Sequence, residues 1–521
     1  MLARVLAATP WGIDALPVQV EVDSRFGLPG TQIVGLPDAA VRESRERVRS
    51  AVRNCGFDLP PRSVVISLAP ADLRKEGNHL DLAIALATLV AHDLLPPEVV
   101  AGRLCCGELG LDGTLRPVRG ALALAELAVR LGARELVVPA ANAAEAAALR
   151  DAADGGVPVV AGENLHQVLL HLRGEAPLPP AAAPPFHHVA AGGGPDLAEV
   201  RGQETAKRAL EIAAAGAHNL IFVGPPGAGK TMLARRLPGI LPPLCREEAI
   251  AVTKIHSLAG DAAATGLRSE RPFRSPHAHT SSGGLIDGGS IPRPGEVSLA
   301  HAGVLFLDEL PEFRHDGLEA LRQPLEDGVV TVVRSRARLS FLARFTLVAA
   351  MNPCPCGYLG DPRRPCECPE PMVERYRARV SGPLLDRIDL QVEVPVPSLR
   401  ELRQEPGETS RAVASRVAAA RALQQRRFAG RPLPVNGAME ASDLRRWCPL
   451  DPAGQRLLDL AFERLALSAR GLARVLKVSR TIADLAGADR IAPAHVAEAI
   501  QYRTFDRPTL RDAALGRRVC G

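Results

Sequence analysis

Eight consecutive residues, Gly224, Pro225, Pro226, Gly227, Ala228, Gly229, Lys230 and Thr231, fit the G-x-x-x-x-G-K-[ST] template. They follow an apolar run, Leu220–Val223, and lead into a helical pattern at Lys230–Leu237, the context the motif requires. Phosphate binding needs several backbone N–H groups turned inward on a tight loop. Glycines permit that loop, and the helix N-terminus adds the positive end of its dipole. Lys230 supplies a point charge for the β- and γ-phosphates of ATP, and Thr231 offers a hydroxyl to Mg²⁺. A second element complements the first. Val304–Leu307 is a run of four apolar residues, the signature of a fully buried strand, and Asp308 and Glu309 follow it. In open α/β sheets, ligands sit at the carboxyl ends of the strands. Asp308 is therefore expected to hold Mg²⁺ and Glu309 to polarise the attacking water.

Three further groups could carry chemistry. Arg387 lies in a short polar turn, Ser381–Asp389, before a strand pattern at Leu390–Val394. It is a candidate arginine finger acting on a neighbouring subunit's nucleotide. The alternative is local pairing with Asp386 or Asp389. Cys354, Cys356, Cys366 and Cys368 sit in a loop rich in Pro and Gly. Four thiolates suit tetrahedral Zn²⁺, and structural zinc can order a loop that has no core of its own. Free reduced thiols and a disulfide are the alternatives, the latter opposed by a reducing compartment. Arg334, Arg336 and Arg338 alternate along an expected hairpin, Gly328–Leu342. They would either grip a nucleic-acid backbone without reading sequence or form a solvated strand face.

The elements that must position these groups divide the chain into four segments. Residues 1–172 mix short β-like runs with helical periods and read as an α+β domain. Residues 173–195 are dominated by Pro, Ala and Gly and read as a linker. Residues 196–397 alternate helix, strand and glycine loop, an α/β layout with a parallel sheet. Residues 398–521 become helical and basic and read as a lid domain. The stretch Leu80–Leu95 carries Asp81, His92 and Asp93, so it reads as a buried helix, and no membrane span is expected.

Hydrophobic residues make up 46% and charged residues 23% of 521, which excludes global disorder. The net charge of +5 hides a division: Arg400–Gly521 holds 22 basic against 13 acidic residues, so the preceding part is net acidic. A basic C-terminal segment favours a nucleic-acid partner. Aromatics are only 3%, which opposes a protein that stacks many bases and fits one that holds the phosphate backbone. Ten cysteines are too few for a disulfide scaffold at this length. The N-terminal stretch shows no charged segment followed by an apolar one, so a cytoplasmic location is expected.

Several segments, taken in order, resemble the magnesium-chelatase-like AAA+ ATPases, and within them the ComM/YifB family. They are Asp196–Gln203, Arg274–His279, Pro292–His301, Leu321–Gly328, Ala350–Gly357 and Ser468–Leu485. The resemblance implies that Asn352 orients water at the γ-phosphate and that Arg470, on the helical lid, is a second nucleotide sensor. Arg474, one helical turn on, is the second choice. It implies a homo-oligomeric ring, a hexamer, acting as a helicase on single-stranded or branched DNA and driving branch migration in recombination and natural transformation. It also implies that residues 1–172 form a Lon-protease-like, S5-like domain. The segment Arg74–Leu82, where such proteases carry their serine, contains none, so a Ser–Lys dyad is opposed. A metal-chelatase motor subunit and an ATP-dependent Lon-like protease are the competing readings.

Overall fold

The computed structural model describes residues 2–75, 77–150, 156–186, 194–261, 266–288, 293–334, 337–431, 433–465 and 467–503. The N-terminal part is built on a seven-stranded sheet. Its spatial order is Gly30–Val34, Ser63–Ala69, Asp14–Arg25, Leu2–Trp11, Arg103–Cys105, Glu135–Pro139 and Val159–Gly162. The strands alternate buried and exposed residues where one face meets solvent, as Ser63–Ala69 does. Helix Asp81–Ala91 packs on this sheet and is buried along its whole length. That includes Asp81, which is 0% exposed and is held by Arg47 Nε at 2.8 Å. The buried-helix reading therefore holds, and no helix among the described residues is long and apolar enough to cross a membrane.

The expected linker is partly anchored. Helix Leu165–Arg173 ends at Gly174, which adopts a left-handed conformation. Pro180 then bridges Val160, and Ala181 donates its N–H to the Val159 carbonyl at 2.7 Å. The edge strand Val159–Gly162 offers unpaired backbone groups, and the extended Pro/Ala stretch satisfies some of them. The Gly192–Gly193 part of the triple glycine lies outside the described residues.

The ATPase-like part is a five-stranded, all-parallel sheet in the order Phe273–Arg274, Val304–Leu307, Thr346–Met351, Leu220–Val223 and Leu390–Glu393. Three of these strands, Leu220–Val223, Val304–Leu307 and Thr346–Met351, are buried throughout, as the continuous apolar runs require. Helices Ser410–Arg427, Ala469–Leu485 and Pro493–Gln501 share one apolar core with helix Glu204–Gly216 and this sheet. The lid is thus packed against the nucleotide-binding part through Val413, Val417, Val475 and Ile482.

Part of the lid's basic excess is committed inside the chain. Arg427 forms a two-pronged pair with Asp484, Arg431 with Asp443, and Arg416 with Glu211 and Glu408. Arg421 donates to the Ala214 carbonyl at 2.7 Å and is half-buried, and its loss of solvent pulls its guanidinium well below its usual value. These contacts account for part of the basic excess; Arg400, Arg411, Arg445, Arg446, Arg456 and Arg464 are exposed.

The two sheets meet through helix Arg246–Ala259. Lys254 bonds Glu126 at 2.5 Å and Asp14 at 3.3 Å, and the Ser257 hydroxyl accepts the Gly120 N–H at 2.8 Å. Gly120 has φ +72°, which strains any side chain, and a Cβ there would lie 2.9 Å from Leu258 Cδ2, so a larger residue would also displace the Leu258 side chain.

Two buried histidines make folding pH-dependent. His79, in the N-terminal part, and His301, beside the parallel sheet, are both held down to about 4 by burial. At His301 the cations of Arg344 and Arg271 add to the effect, and its Nδ1 accepts the Arg344 N–H at 3.1 Å, as a neutral ring does. A lowered histidine means that the unfolded chain binds more protons. The stability is therefore complete above about pH 6.5 and is lost as pH falls toward 4. Between pH 7 and pH 5 the loss should be on the order of 2 kcal/mol per histidine. Urea unfolding at the two pH values checks this, and an unmoved midpoint would contradict it.

Candidate nucleotide site

The phosphate loop lies between the end of strand Leu220–Val223 and helix Lys230–Ala234. The helix is shorter than Lys230–Leu237, because Pro238 has no N–H to give the Ala234 carbonyl. Gly227 (φ +77°) and Gly229 (φ +90°) take left-handed conformations that a side chain would strain. At Gly224 the constraint is proximity: a Cβ would fall 2.1 Å from the Val394 carbonyl oxygen of the adjacent strand end. Gln203 ties the loop from outside, donating to the Pro395 carbonyl at 2.5 Å and the Ala228 carbonyl at 3.3 Å.

Lys230 is 8% exposed. Its ammonium donates to the carbonyls of Gly224 (2.7 Å) and Pro225 (3.0 Å) and to Asn352 Oδ1 (3.0 Å). Burial lowers its pKa, and the carboxylates of Asp308 and Glu309 oppose that shift. Asn352 follows strand Thr346–Met351, which pairs directly with Leu220–Val223 in register Val223↔Met351. Adjacency in the sheet is what brings these two residues together across 122 positions of sequence.

Thr231 Oγ1 donates to Asp308 Oδ2 at 2.6 Å. One hydroxyl and one carboxylate, both hard oxygens, form a donor set suited to Mg²⁺, with phosphate and water oxygens completing the shell. Glu309 is exposed at the mouth of the site and has φ +53°, a left-handed conformation unusual for a non-glycine residue. Such a backbone costs of order 1–3 kcal/mol and persists only where the surroundings impose it.

Arg387 and Arg470 lie elsewhere. Arg387 precedes strand Leu390–Glu393, and Asn219, just before strand Leu220–Val223, donates to its carbonyl at 3.0 Å. It therefore sits at the amino edge of the parallel sheet, opposite the phosphate loop. It is 5% exposed and donates to Glu326 and to the Pro383 carbonyl (2.7 Å), while its Nε has no partner among the described residues. Neither Asp386 nor Asp389 pairs with it. Asp389 is taken by Arg474 and His218, and Arg474 with His218 holds its carboxyl well below the usual range despite burial. Arg474 is half-buried and committed to Asp389. Arg470 is 63% exposed and lies 4.0 Å from Glu326, so Arg387 and Arg470 converge on one carboxylate. Sequence reasoning missed Glu326 as their meeting point, and nothing in the spacing of residues 326, 387 and 470 signals it.

Strands Val329–Arg334 and Ala337–Leu342 form the expected hairpin, with Arg334 opposite Ala337. Arg336 and the side chains of Arg334 and Arg338 lie outside the described residues. The four clustered cysteines do come together: their sulfurs all lie within 4.8 Å of one another, with Cys354–Cys356 at 3.4 Å and both Cys354–Cys366 and Cys356–Cys366 at 3.6 Å. Metal–sulfur bonds of about 2.3 Å in a tetrahedron would set sulfurs roughly 3.8 Å apart. The N–H groups of Cys356 and Cys368 point to Cys368 and Cys366 sulfurs at 3.4 Å, the donors that stabilise thiolates.

In the N-terminal part, Lys75 is buried, with its ammonium on the Pro70 carbonyl, and Asn78 accepts from Arg47 at 3.0 Å. Packing thus accounts for Lys75 and Asn78, and no Ser–Lys hydrogen bond occurs among the described residues.

A parallel sheet with this phosphate loop and acidic strand is the layout of a P-loop nucleotide-binding domain. Family models for magnesium chelatase subunit ChlI match residues 196–402 and 20–142, and a model of its C-terminal region matches 407–503. The chain belongs to the ComM/YifB family of magnesium-chelatase-like proteins. It is 44% identical to the uncharacterised protein YifB of Salmonella typhimurium over 513 residues, covering 97% of this chain and 98% of that one. It is 43% identical to competence protein ComM of Haemophilus influenzae over 512 residues, again 97% and 98%.

Proposed function

We propose that this chain is the ATP-hydrolysing subunit of a hexameric ring that works as a DNA helicase, driving branch migration in recombination and natural transformation. The observation that carries the ring is the placement of the two arginines. A strand advances about 3.3 Å per residue, so four residues separate the two sheet edges by roughly 13 Å. Arg387, on the edge away from the phosphate loop, is out of reach of its own subunit's γ-phosphate and suited to a neighbour's. Arg470, which shares Glu326 with it, follows the same logic.

Within a subunit, backbone N–H groups of Gly227–Lys230 and the Lys230 ammonium hold the β- and γ-phosphates of ATP. Thr231 and Asp308 hold Mg²⁺, which when bound neutralises charge developing on the phosphate oxygens. Asn352 orients the attacking water and Glu309 accepts its proton as the bond to ADP breaks. The neighbour's Arg387 steadies the transferring phosphoryl group, and Arg470 senses the nucleotide.

The DNA reading rests on similarity to a competence protein and on the Arg334, Arg336 and Arg338 hairpin, which fits backbone contact. Residues 1–172 are read as a Lon-like domain without protease activity, a collar on the ring. The cysteine loop is read as a zinc site, and the location as cytoplasmic. A chelatase motor subunit is the weaker alternative, since relatives matched over nearly their full length include ComM and YifB proteins.

The decisive experiment is a branched-junction unwinding assay with ATP, run beside a DNA-stimulated ATPase assay and a casein control. Unwinding by wild type and none by Lys230→Ala is expected. If DNA neither stimulates turnover nor shifts on a gel, the helicase reading fails, and casein cleavage would revive the protease. Replacing Arg334, Arg336 and Arg338 by Ala should reduce the slope of log K against log salt by up to about 0.9 per lost phosphate contact on duplex DNA. An unchanged slope would return the three to a solvated strand face.

A further inference from the structure

The cysteine loop touches the phosphate loop. Cys354 lies two residues beyond Asn352, whose side chain holds Lys230. Gly357, in a left-handed turn (φ +87°) closed by its N–H on the Cys354 carbonyl at 3.0 Å, faces Pro226. A Cβ on Gly357 would stand 2.6 Å from Pro226 Cδ and 3.8 Å from the Asn352 amide carbon. The far end of the loop is tied back to the same place. Helix Glu370–Arg377 begins directly after Cys368 and Pro369, its Arg377 Nε donates to the Pro353 carbonyl at 3.1 Å, and its Tyr376 hydroxyl bonds the Asn352 backbone. Yet the seventeen residues between Asn352 and Glu370 have almost no core of their own. Cys354 is buried, while residues 360–370 are largely exposed and carry no large aliphatic side chain. Hydrophobic burial therefore cannot fix the loop, and the four sulfurs are the groups placed to do so.

We propose that a thiophilic divalent metal held by Cys354, Cys356, Cys366 and Cys368 braces the phosphate loop, so that metal occupancy sets nucleotide affinity. The idea rests on the zinc reading given above and adds a coupling between the two sites. With the metal bound, Gly357 is pressed on Pro226 and Asn352 is fixed beside Lys230, so the cradle is ordered before nucleotide arrives. Without it, binding must order both loops. Couplings of this kind are typically about 5–150-fold in affinity and are reciprocal, so nucleotide must tighten metal binding by the same factor.

The test uses the full chain purified with Zn²⁺ and no chelator. Metal per chain is measured first, and one zinc is expected. The dissociation constant of a fluorescent ATP analogue is then read before and after zinc is withdrawn by a competing chelator, and again after Zn²⁺ is restored. Affinity should fall at least about fivefold on withdrawal and recover on return. The competitor concentration needed to strip zinc should rise by the same factor when the analogue is present. Zinc bound with no change in nucleotide affinity overturns the brace and leaves the metal reading intact. No zinc bound overturns both. Cys366→Ser with Cys368→Ser, the ligands farther along the loop from Asn352, should reproduce the metal-free affinity. If that variant fails to fold, the withdrawal experiment on the wild-type protein still decides.

Discussion

Arg387→Ala is expected to cut ATP turnover by about 10³–10⁵-fold, the usual worth of an arginine finger, while nucleotide affinity stays near wild type. The affinity should survive because Arg387 is at the opposite sheet edge from Gly227–Lys230. A trans role makes a sharper demand. Subunits carrying Arg387→Ala retain a whole phosphate loop, and subunits carrying Lys230→Ala retain a whole finger. Mixed rings hold interfaces where one contributes Lys230 and the other Arg387, so two inactive preparations should regain turnover when mixed. Arg387 also has an internal partner, Glu326, so its removal costs packing as well. Glu326→Gln separates the two explanations. It breaks the ion pair but keeps the finger, and turnover should persist. Two dead preparations that stay dead on mixing would place Arg387 in its own subunit's structure.

The nucleotide cradle was legible because its parts are local. Leu220–Thr231 and Val304–Glu309 each announce a strand, a turn and a functional group within about a dozen residues, and parallel-sheet geometry does the rest. The register Val223↔Met351 explains why Asn352 could be expected beside the site. What stayed hidden depends on pairings across long separations. The contact of Arg474 with Asp389 spans 85 residues and that of Arg387 with Glu326 spans 61. Neither has a periodicity, so the sequence left Asp386 and Asp389 as the nearer partners of Arg387. Net charge says little for a related reason. A count of arginines does not say whether Arg416, Arg427 and Arg431 face solvent or a carboxylate, and here each meets a carboxylate. The cysteine cluster stands between these cases. Its spacing suggested a metal, but its contact with Pro226 needed the left-handed turn at Gly357, which a sequence does not display.

Glu309→Gln is expected to bind ATP normally and hydrolyse it about 10²–10⁴-fold more slowly. The amide keeps the shape of the carboxylate but cannot accept the proton of the attacking water. The two carboxylates at this strand end are not interchangeable. Asp308 is half-buried and accepts from both the Thr231 hydroxyl (2.6 Å) and the Glu309 N–H (3.0 Å), so its carboxylate is held in place, as the proposed Mg²⁺ ligand must be. Glu309 is exposed, and its left-handed backbone turns its side chain out of the strand direction, where a water can reach it. Asp308→Asn should therefore weaken Mg²⁺-dependent nucleotide binding, while Glu309→Gln should leave binding alone and accumulate the ATP-bound ring. Single-turnover hydrolysis with size-exclusion chromatography in ATP separates the two. A Glu309→Gln protein that turns over at the wild-type rate would remove Glu309 from the chemistry. The strained turn would then need another explanation, because a non-glycine residue is held in that conformation only when its surroundings impose it.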